Sequence, residues 1–306
     1  MRLSLTIHLV RRVLSCLLVC WAIGAIAAQP ISDNLPPGAS LGSYLGMNDL
    51  PNLRDIGGYV TSDGKVVVRG KTYRSNAFYP MNAIELKTLG QLVLKNDYDL
   101  RTTIEIRDQP DNIPATVQYA QLNVMADNSG VILPPAQITE LFQDPKLASE
   151  KLGGVDGVEA QFVGLYRELV TLSSANESYR ELFLSISEQD NSPNVFHCTN
   201  GKDRTGWAAA ALLTLIGVPE EVVYEDYLRS NEYLLPMHQK EIDDFSSKGG
   251  DKEIPKAIFG VKRRYLAAAF KEMQDRYGTV ERYFAEGLGI NEKEQQKIKR
   301  FYLRVE

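Results

Sequence analysis

The stretch NVFHCTNGKDRTGWAAAALLTLI, residues 194–216, decides the fold of this chain. It begins with a short apolar segment typical of a buried strand and continues through a polar loop that contains Gly201. It ends in a run that is apolar on nearly every face, which predicts a buried helix from Thr205 to Ile216. A strand, a loop and a buried helix in this order predict an α/β architecture, with the helix N-terminus directed at the loop.

The loop contains a cysteine and an arginine separated by five residues. Loop N–H groups and a helix N-terminus together form a nest for an anion, and their positive field favours a thiolate. The planar guanidinium of Arg204 can bind two phosphate oxygens at once. Cys198 is therefore predicted to attack phosphorus and form a phosphocysteine that water hydrolyses. The alternatives are a buried structural thiol at Cys198 and a surface ion pair at Arg204.

Asp203 is the candidate general acid. A carboxyl group beside a bound phosphate is repelled by like charge, which favours its protonated form, and a leaving oxygen needs such a proton donor. In the alternative, Asp203 points away and pairs with a basic residue such as Arg54. Asp99, at the end of a predicted strand, is the competing acid, although a structural carboxylate that holds the loop is the preferred interpretation there.

The rest of the loop supplies the predicted substrate-binding residues. Thr205 either donates a hydrogen bond to the thiolate or caps the helix. Lys202 either binds a second phosphate, as on an inositol ring, or merely offsets the charge of Asp203. The predicted binding set is Thr199, Asn200, Gly201, Lys202 and Thr205.

Four residues are predicted to support the loop, namely Asp99, Arg54, Glu105 and His197. Glu105 either orients Arg204 through an ion pair or is a plain surface glutamate. His197 is interpreted as a brace that bonds backbone. Arg54, with Asn52 and Asp55, either lines the pocket or braces the loop. His238 stands alone and is predicted to be structural or exposed.

Composition limits the class of protein. The chain has 306 residues with 44% hydrophobic and 24% charged residues, which is ordinary globular usage and excludes a disordered, collagenous or multi-spanning membrane protein. A formal net charge of -5 argues against a protein built to hold nucleic acid. Neither metal-ligand spacing nor a glycine-rich nucleotide loop is present, so no metal and no cofactor are predicted.

The N-terminus has the pattern of a secretory signal peptide. Arginines precede an apolar run from Val13 to Ile26, and small residues at Ala25 and Ala27 fit a cleavage site, so residues 1–27 are predicted to be removed. The alternative is an uncleaved membrane anchor. Cleavage would leave Cys198 as the only cysteine, which excludes an internal disulfide. The protein is therefore expected to be periplasmic or secreted.

The remaining chain is predicted to form an irregular arm, residues 28–50, and one domain, residues 51–306. Apolar residues around a soft turn make residues 231–265 a candidate helical lid. From Thr205 onward the pattern is helical. Earlier, strands are predicted at 65–68, 71–74, 98–100, 117–124 and 194–197, and helices at 82–95, 137–151, 158–172 and 178–188.

The loop resembles the signature of cysteine-dependent phosphatases, His-Cys-x-x-Gly-x-x-Arg-Ser/Thr-Gly. With Lys202 and Asp203 before the arginine, it resembles the secreted bacterial tyrosine phosphatases, a family with lipid-active members. Further segments similar to the family are Asn52–Gly58, Tyr73–Ser75, Asp99–Arg101 with Glu105, and Asp226–Asn231. The resemblance implies a central sheet flanked by helices and Asp203 as the acid. Asn200 stands where relatives often carry a small residue.

These observations predict a phosphatase that hydrolyses phosphotyrosine in proteins. The main alternative is a phosphoinositide or inositol-phosphate phosphatase with a substrate at a membrane surface. A phosphate-binding module without turnover conflicts with the intact set of Cys198, Asp203 and Arg204. A thiol-redox or arsenate-reducing enzyme normally needs a resolving cysteine, which a cleaved chain would lack. The pattern indicates no oligomeric state.

Overall fold

A computed structural model describes residues 29–128 and 135–305 of the chain. The predicted signal peptide, residues 1–27, lies outside the described residues. The strands are β1 (Arg54–Asp55), β2 (Val66–Val67), β3 (Thr72–Ser75), β4 (Asn96–Asp99), β5 (Gln118–Gln121), β6 (Asn194–His197) and β7 (Leu303–Arg304).

Helices occupy most of the remaining described chain. Short 3₁₀ segments span Ile31–Asn34, Gly90–Leu92 and Gln189–Asn191, and one π-helical turn spans Tyr283–Gly287. The α-helices are α1 (Leu41–Tyr44), α2 (Ala83–Leu89), α3 (Thr103–Asp108), α4 (Pro135–Leu141), α5 (Pro145–Leu152), α6 (Gly154–Thr171), α7 (Ser173–Ile186), α8 (Arg204–Leu215), α9 (Glu220–Leu228), α10 (Ser230–Met237), α11 (Gln239–Ser247), α12 (Glu253–Phe259), α13 (Arg263–Tyr277), α14 (Val280–Arg282) and α15 (Glu292–Tyr302).

The main sheet has five strands in the order β1-β3-β6-β4-β5. Strands β3, β6, β4 and β5 are parallel, and β1 is antiparallel to β3 at the edge. The register places Ser75, His197 and Asp99 side by side at the carboxyl ends of three neighbouring strands. Crevices outside the carboxyl ends of parallel strands are where α/β proteins bind ligands, so this edge is where a site is expected. The predicted α/β class with a helical C-terminal half is confirmed.

The largest hydrophobic core contains α8, whose residues are buried from Arg204 to Leu213. Trp207 in this helix is 0% exposed and packs against Phe270 and Tyr283. A second, separate apolar cluster joins α4, α5 and the start of α6 to α11 and α12. This cluster comprises Phe142, Ala148, Leu152, Val158, Phe245, Ile254, Ala257 and Ile258.

Two local predictions were wrong for reasons of hydrogen bonding. The helix predicted over 137–151 is divided, because the Asp144 side chain accepts a hydrogen bond from Leu147 N and begins a new helix at Pro145. Asn82 and Glu85 have the spacing of a reciprocal capping box, which predicts two side-chain bonds at the start of α2, but only one of them forms. The Asn82 side chain caps α2, but the Glu85 carboxylate accepts a hydrogen bond from Asn48 N instead of turning back to Asn82.

The segment 52–59 has a turn-like sequence with two consecutive glycines, Gly57 and Gly58, but it includes the short strand β1. The sequence from Asn52 to Gly58 is polar and rich in glycine, so its pattern does not indicate a strand. The two strand residues, Arg54 and Asp55, are nevertheless buried in the folded chain. Among the described helices, none combines the length and the apolar character that crossing a bilayer requires.

Candidate active site

The loop from Cys198 to Asp203 joins the end of central strand β6 to the start of helix α8. Cys198 is a free cysteine, 2% exposed. Gly201 has a φ of 64°, and a Cβ there would lie 2.2 Å from the carbonyl oxygen of Ser75. Only glycine fits both the left-handed backbone and the close approach to β3. The loop is therefore pressed against the sheet at the N-terminus of a buried helix.

Two side chains hold the outer carbonyls of this loop. Asn52 Nδ2 donates to the carbonyl oxygens of Asn200 and Gly201 at 2.9 and 3.1 Å. Arg74 Nη2 donates to the Gly201 carbonyl oxygen at 2.8 Å. Fixing the carbonyls in this way fixes the peptide planes of the loop, which is what an anion nest of N–H groups requires.

The brace is anchored by a buried ion-pair network centred on Asp226 in α9. Its carboxylate accepts from Arg54 Nη1 at 2.9 Å, from Arg74 Nη1 at 2.8 Å and from the Tyr59 hydroxyl at 2.8 Å. Burial alone would raise the pKa of Asp226, but the two guanidinium groups outweigh burial and lower it. Asp226 is therefore a carboxylate that sets the position of Arg74 against the loop.

Arg204, the first residue of α8, is aligned by Glu105 from α3. Two parallel hydrogen bonds of 2.7 Å run from its Nη1 and Nη2 to the Glu105 carboxylate, and Thr199 Oγ1 donates to the same carboxylate at 2.5 Å. Burial works against ionisation of Glu105, but the Arg204 charge outweighs burial and lowers the pKa of Glu105 well below its usual value. Of the two alternatives for Glu105, the structure has the ion pair rather than the exposed glutamate.

Replacing Glu105 with glutamine is expected to reduce kcat/KM by about 10²-fold, because a displaced guanidinium no longer meets the phosphate oxygens in line. The loss should be matched by weaker vanadate binding. Asp108→Asn, at the exposed end of the same helix, is the control and should leave both quantities unchanged. Full activity in the Glu105 variant would contradict an orienting role.

Asp203 contacts two groups at the start of α8, the Lys202 ammonium and the Tyr166 hydroxyl. It lies 2.9 Å from Lys202 Nζ and accepts a hydrogen bond from the Tyr166 hydroxyl at 3.0 Å, and the Tyr166 and Tyr227 hydroxyls are 2.7 Å apart. Lys202 is 2% exposed, and its ammonium lies 4.2 Å from the centre of the Phe162 ring. Asp203 therefore has a basic partner, as in the alternative considered for it, but this partner is Lys202 and not Arg54, which pairs with Asp226.

His197 lies directly before Cys198 and has both a backbone partner and carboxylate partners. Its Nδ1 is 3.4 Å from the carbonyl oxygen of Cys198, and its Nε2 is 3.1 Å from Asp97 and 3.4 Å from Asp111. The predicted backbone bond is present, but the prediction did not include the two aspartates. Burial lowers the pKa of His197, but Asp97, Asp99 and Asp111 outweigh burial and raise it well above the usual value.

Asp99 completes this cluster as an ion-pair partner. It is 0% exposed and accepts from Arg101 Nη2 at 2.7 Å and from the Tyr119 hydroxyl at 2.9 Å. Burial would raise the pKa of Asp99, but the charges of His197 and Arg101 outweigh it and hold it at about 2. The geometry is that of the structural carboxylate preferred for Asp99 from the sequence.

One group of side chains among the described residues could offer three ligand atoms to a metal ion. Asp97, Asp111 and His197 place one ligand atom each within 4.8 Å of one another, a grouping that sequence spacing did not indicate. However, Arg101 Nη2 already lies 2.5 Å from Asp111, and the raised pKa of His197 keeps a proton on the imidazole. The cluster is therefore described by ion pairing alone.

The pKa of His197 makes a prediction for stability. Because the folded state binds the proton more tightly than the unfolded chain, whose histidine pKa is about 6.5, the stabilisation is complete below that pH and decreases as pH rises towards the folded-state value. Unfolding should then release one proton, and the free energy of unfolding should fall by about 1.4 kcal/mol per pH unit in the alkaline range.

Urea unfolding from pH about 6 to 9 measures this slope. His197→Asn should show a smaller alkaline decrease than the natural chain. If that variant does not fold, ¹⁵N shifts of the imidazole in the natural protein give the answer directly. An imidazole that is neutral at pH about 7 would contradict the charged cluster.

A pocket of about 430 Å³ opens over Cys198. Its polar floor includes the loop residues from Cys198 to Asn200 and from Lys202 to Arg204. Its walls combine polar and charged side chains with aromatic ones, namely Tyr79, Phe142, Phe162, Phe245 and Phe259. Asn52, Arg54 and Asp55 are not among the lining residues, so the pocket-lining alternative for them was wrong. Asn52 and Arg54 belong to the brace beneath the loop, and Asp55 accepts hydrogen bonds from Gly57 N and Gly70 N.

Thr205 lies inside α8 and is 0% exposed. Its hydroxyl has no hydrogen-bond partner among the described residues. Thr205 does not cap the helix, because the N-cap position belongs to Asp203 and no side chain makes a capping bond there. The capping alternative was therefore wrong, and the hydroxyl is free to bond within the loop.

Several residues around the site lay beyond sequence reasoning. From the sequence alone, Tyr166, Phe162 and Asp97 are ordinary helix or strand positions, because no sequence motif indicates that they lie against the loop. Arg74 and Asp226 stood in segments noted only for their family resemblance. His238, predicted to be structural or exposed, lines the pocket.

Comparison with known proteins agrees with this geometry. The sequence profile of the tyrosine phosphatase family matches residues 45–304. A provisionally named tyrosine-protein phosphatase of Cupriavidus necator is 24% identical over 88% of this chain and 93% of its own length. The tyrosine-protein phosphatase of Nostoc commune is 27% identical over 69% of this chain and 67% of its own length. The triple specificity protein phosphatase PtpB of Mycobacterium tuberculosis is 25% identical over 81% of this chain and 96% of its own length.

Proposed function

We propose, since this chain belongs to the tyrosine phosphatase family, that it hydrolyses phosphotyrosine in proteins through a phosphocysteine formed on Cys198. Family membership makes the chain a protein-tyrosine phosphatase by class, as predicted. The observation that carries the mechanism is the position of Cys198, on the floor of a pocket, at the N-terminus of α8 and beside an arginine that Glu105 aligns.

The chemistry follows from these groups. The Cys198 thiolate attacks phosphorus, an S–P bond forms and the P–O bond to the leaving group breaks. Arg204 and the loop N–H groups stabilise the charge on the three equatorial oxygens. Asp203 gives its proton to the leaving oxygen. Water then attacks phosphorus, Asp203 takes a proton from this water, and the S–P bond breaks. Inorganic phosphate leaves, and the Cys198 thiolate is regenerated.

Asp203, rather than Asp99, fits the role of acid. Asp203 lines the pocket, whereas Asp99 is fully buried and paired with Arg101. Kinetics with aryl phosphates of differing leaving groups tests this assignment. Asp203→Asn should lose most activity on poor leaving groups and much less on good ones, since a good leaving oxygen needs no proton. The same pattern in Asp99→Asn but not in Asp203→Asn would reverse the assignment.

The wall of the pocket favours an aromatic phosphate ester. Phe142, Phe162 and Phe259 line it together with Met237, and aromatic side chains pack on a phenyl ring in offset or edge arrangements. A serine phosphate would leave this surface unused. The printed name of PtpB includes triple specificity, so substrates beyond phosphotyrosine belong in the test.

A second candidate is a phosphoinositide or inositol-phosphate phosphatase. The observation that favours it is the position of Lys202. Its ammonium contacts Phe162 and Asp203 in the pocket and is not solvated at the surface. Phosphate release is to be measured side by side from a phosphotyrosine peptide, a phosphoserine peptide and phosphoinositide vesicles, with Cys198→Ser as the control. Faster release from the vesicles than from the peptides would replace the first candidate by the second.

Two further predictions accompany this function. We propose that the protein acts in the periplasm or outside the cell after loss of residues 1–27, and fractionation with N-terminal sequencing tests this proposal.

We propose that residues 231–265 act as a lid, because α10, α11 and α12 cover the pocket with Met237, Phe245 and Phe259. Amide exchange in these helices should slow when vanadate binds, and unchanged exchange would contradict a lid.

A further inference from the structure

His238 follows α10 and lies in the same pocket as Cys198. Its side chain is 15% exposed and stacks on Phe259, with 3.9 Å between ring centres and 8° between ring planes. Stacking of this kind fixes the orientation of the imidazole. Neither ring nitrogen makes a hydrogen bond to any described residue, although both are buried. Glu241 is the carboxylate near Nδ1, so Nε2 is the atom of this fixed imidazole that is available to a ligand in the pocket over Cys198.

Two charged groups act most directly on this imidazole. Glu241 Oε1 in α11 lies 3.5 Å from Nδ1, and Lys202 approaches from the catalytic loop. Burial lowers the pKa of His238, Lys202 lowers it further and Glu241 only partly opposes them. The charged residues that line the pocket are Glu105, Lys202, Asp203, Arg204, Glu241, Asp244 and Lys248.

Lys202 and His238 are thus two nitrogen bases held in one pocket, each by an aromatic ring. Phe162 holds Lys202, and Phe259 holds His238. Each base also has a carboxylate partner: Asp203 lies 2.9 Å from Lys202 Nζ. Glu241 Oε1 lies 3.5 Å from His238 Nδ1. An anion in the pocket would accept a hydrogen bond from Nε2 of the imidazole, which has no partner among the described residues, and interact with the Lys202 ammonium.

We propose that His238 and Lys202 together bind a second phosphate group of the substrate, carried on a compact scaffold next to the phosphate that Cys198 attacks. The proposal rests on the proposed phosphatase function and deepens it, because it assigns a specificity-determining role to His238. The scaffold is compact because Lys202 belongs to the catalytic loop itself and is only four residues from Cys198.

The contact is pH-dependent. A second phosphate favours protonated His238, so binding of a bisphosphate should strengthen as pH falls below the ordinary histidine pKa of about 6.5, because burial and Lys202 lower the pKa of the imidazole in the empty pocket. A monophosphate on the same scaffold lacks this contact. The ratio of kcat/KM for the bisphosphate to kcat/KM for the monophosphate should therefore rise as pH falls. The second phosphate itself ionises with a pKa of about 6. The pH dependence is therefore assigned to the protein by comparing the ratio in the natural chain with the ratio in a variant that lacks the imidazole.

Soluble inositol bisphosphate and inositol monophosphate are the probes, assayed from pH about 5.5 to 8. His238→Phe keeps the stacking on Phe259 but removes both nitrogens. It should lower the ratio by about 10- to 100-fold at the acid end, the range expected for a hydrogen bond to a charged group. Lys240→Gln, an exposed lysine two residues away, is the matched control for net charge and should keep the ratio of the natural chain.

Two results would overturn the assignment of His238: a ratio that is independent of pH, or a ratio that is equal in His238→Phe and the natural chain. If Cys198-dependent turnover of phosphotyrosine persists in that experiment, the proposed function still stands. Loss of all Cys198-dependent turnover in the natural chain would overturn both. The same headgroups presented in lipid vesicles separate a membrane source from a soluble one, and a His238 effect in either supports the assignment. Circular dichroism establishes that each variant is folded.

Discussion

Replacing Cys198 with serine is expected to reduce phosphate release by at least about 10⁴-fold, which is the scale on which loss of a covalent nucleophile is felt. A serine hydroxyl remains protonated at neutral pH, and the described neighbours of Cys198 provide no general base for it, because His197 turns its ring nitrogens towards carboxylates and a backbone carbonyl. The remaining anion nest should be unaffected.

The variant should therefore still bind vanadate or phosphate and unfold at nearly the same temperature. The side chain is 2% exposed, and replacing sulfur by oxygen changes its volume little, so the surrounding loop has no reason to rearrange. Phosphate release is measured by a coupled assay and binding by calorimetry. Turnover that survives in the serine variant would rule out a phosphocysteine, whereas loss of both turnover and vanadate binding would indicate a disrupted loop.

Replacing Asp226 with alanine should have the largest effect on stability. Arg54 and Arg74 are 0% and 1% exposed and share this one carboxylate, so its removal leaves two buried guanidinium groups without compensation. Breaking a buried ion pair by removing one partner costs about 3–5 kcal/mol of the free energy of unfolding. The cost arises from the desolvated charges that remain, not from the strength of the original pair.

Urea unfolding measures the change, and Asp63→Ala is the matched control. Asp63 pairs with Lys65 at 2.7 Å on the exposed surface, where a lost ion pair should leave the midpoint unchanged. Asp226→Asn keeps the shape and an accepting oxygen, so it should unfold at a midpoint between that of Asp226→Ala and that of the natural chain. Equal midpoints for Asp226→Ala and Asp63→Ala would show that Asp226 does not stabilise the two arginines.

Activity should fall with Asp226→Asn as well, because Arg74 carries the effect to the loop through its hydrogen bond to the Gly201 carbonyl oxygen. Vanadate affinity should weaken even at temperatures where the variant is fully folded. A positioning role predicts this loss in binding, while a purely structural role predicts lower stability alone.

Local sequence was sufficient for the centre of the site. A strand, a loop with an obligatory glycine and a buried helix are consecutive in the chain, so the relation between Cys198 and Arg204 is set by backbone geometry over a few residues. The strand predicted at 194–197 was correct, and the helix predicted to begin at Thr205 begins one residue earlier. The α/β class follows from the same segment.

The partners of that segment come from distant parts of the chain. Glu105, Asn52, Arg74 and Asp226 reach the loop only because the parallel register brings the ends of β3, β6 and β4 together and because α9 packs beside them. Sequence reasoning could propose such residues but could not choose between bracing and lining the pocket. The choice depends on which side of the loop each one approaches.

The sequence by itself predicted the nucleophile and its arginine and indicated the class of chemistry, since these predictions depend on residue type and short-range spacing. Only the tertiary structure decided that Glu105 aligns Arg204, that His197 is held by three aspartates and that His238 faces the substrate pocket. The physical reason is that electrostatic and hydrogen-bond partners are selected by distance in space and by burial, and neither quantity is encoded in the local pattern of the chain.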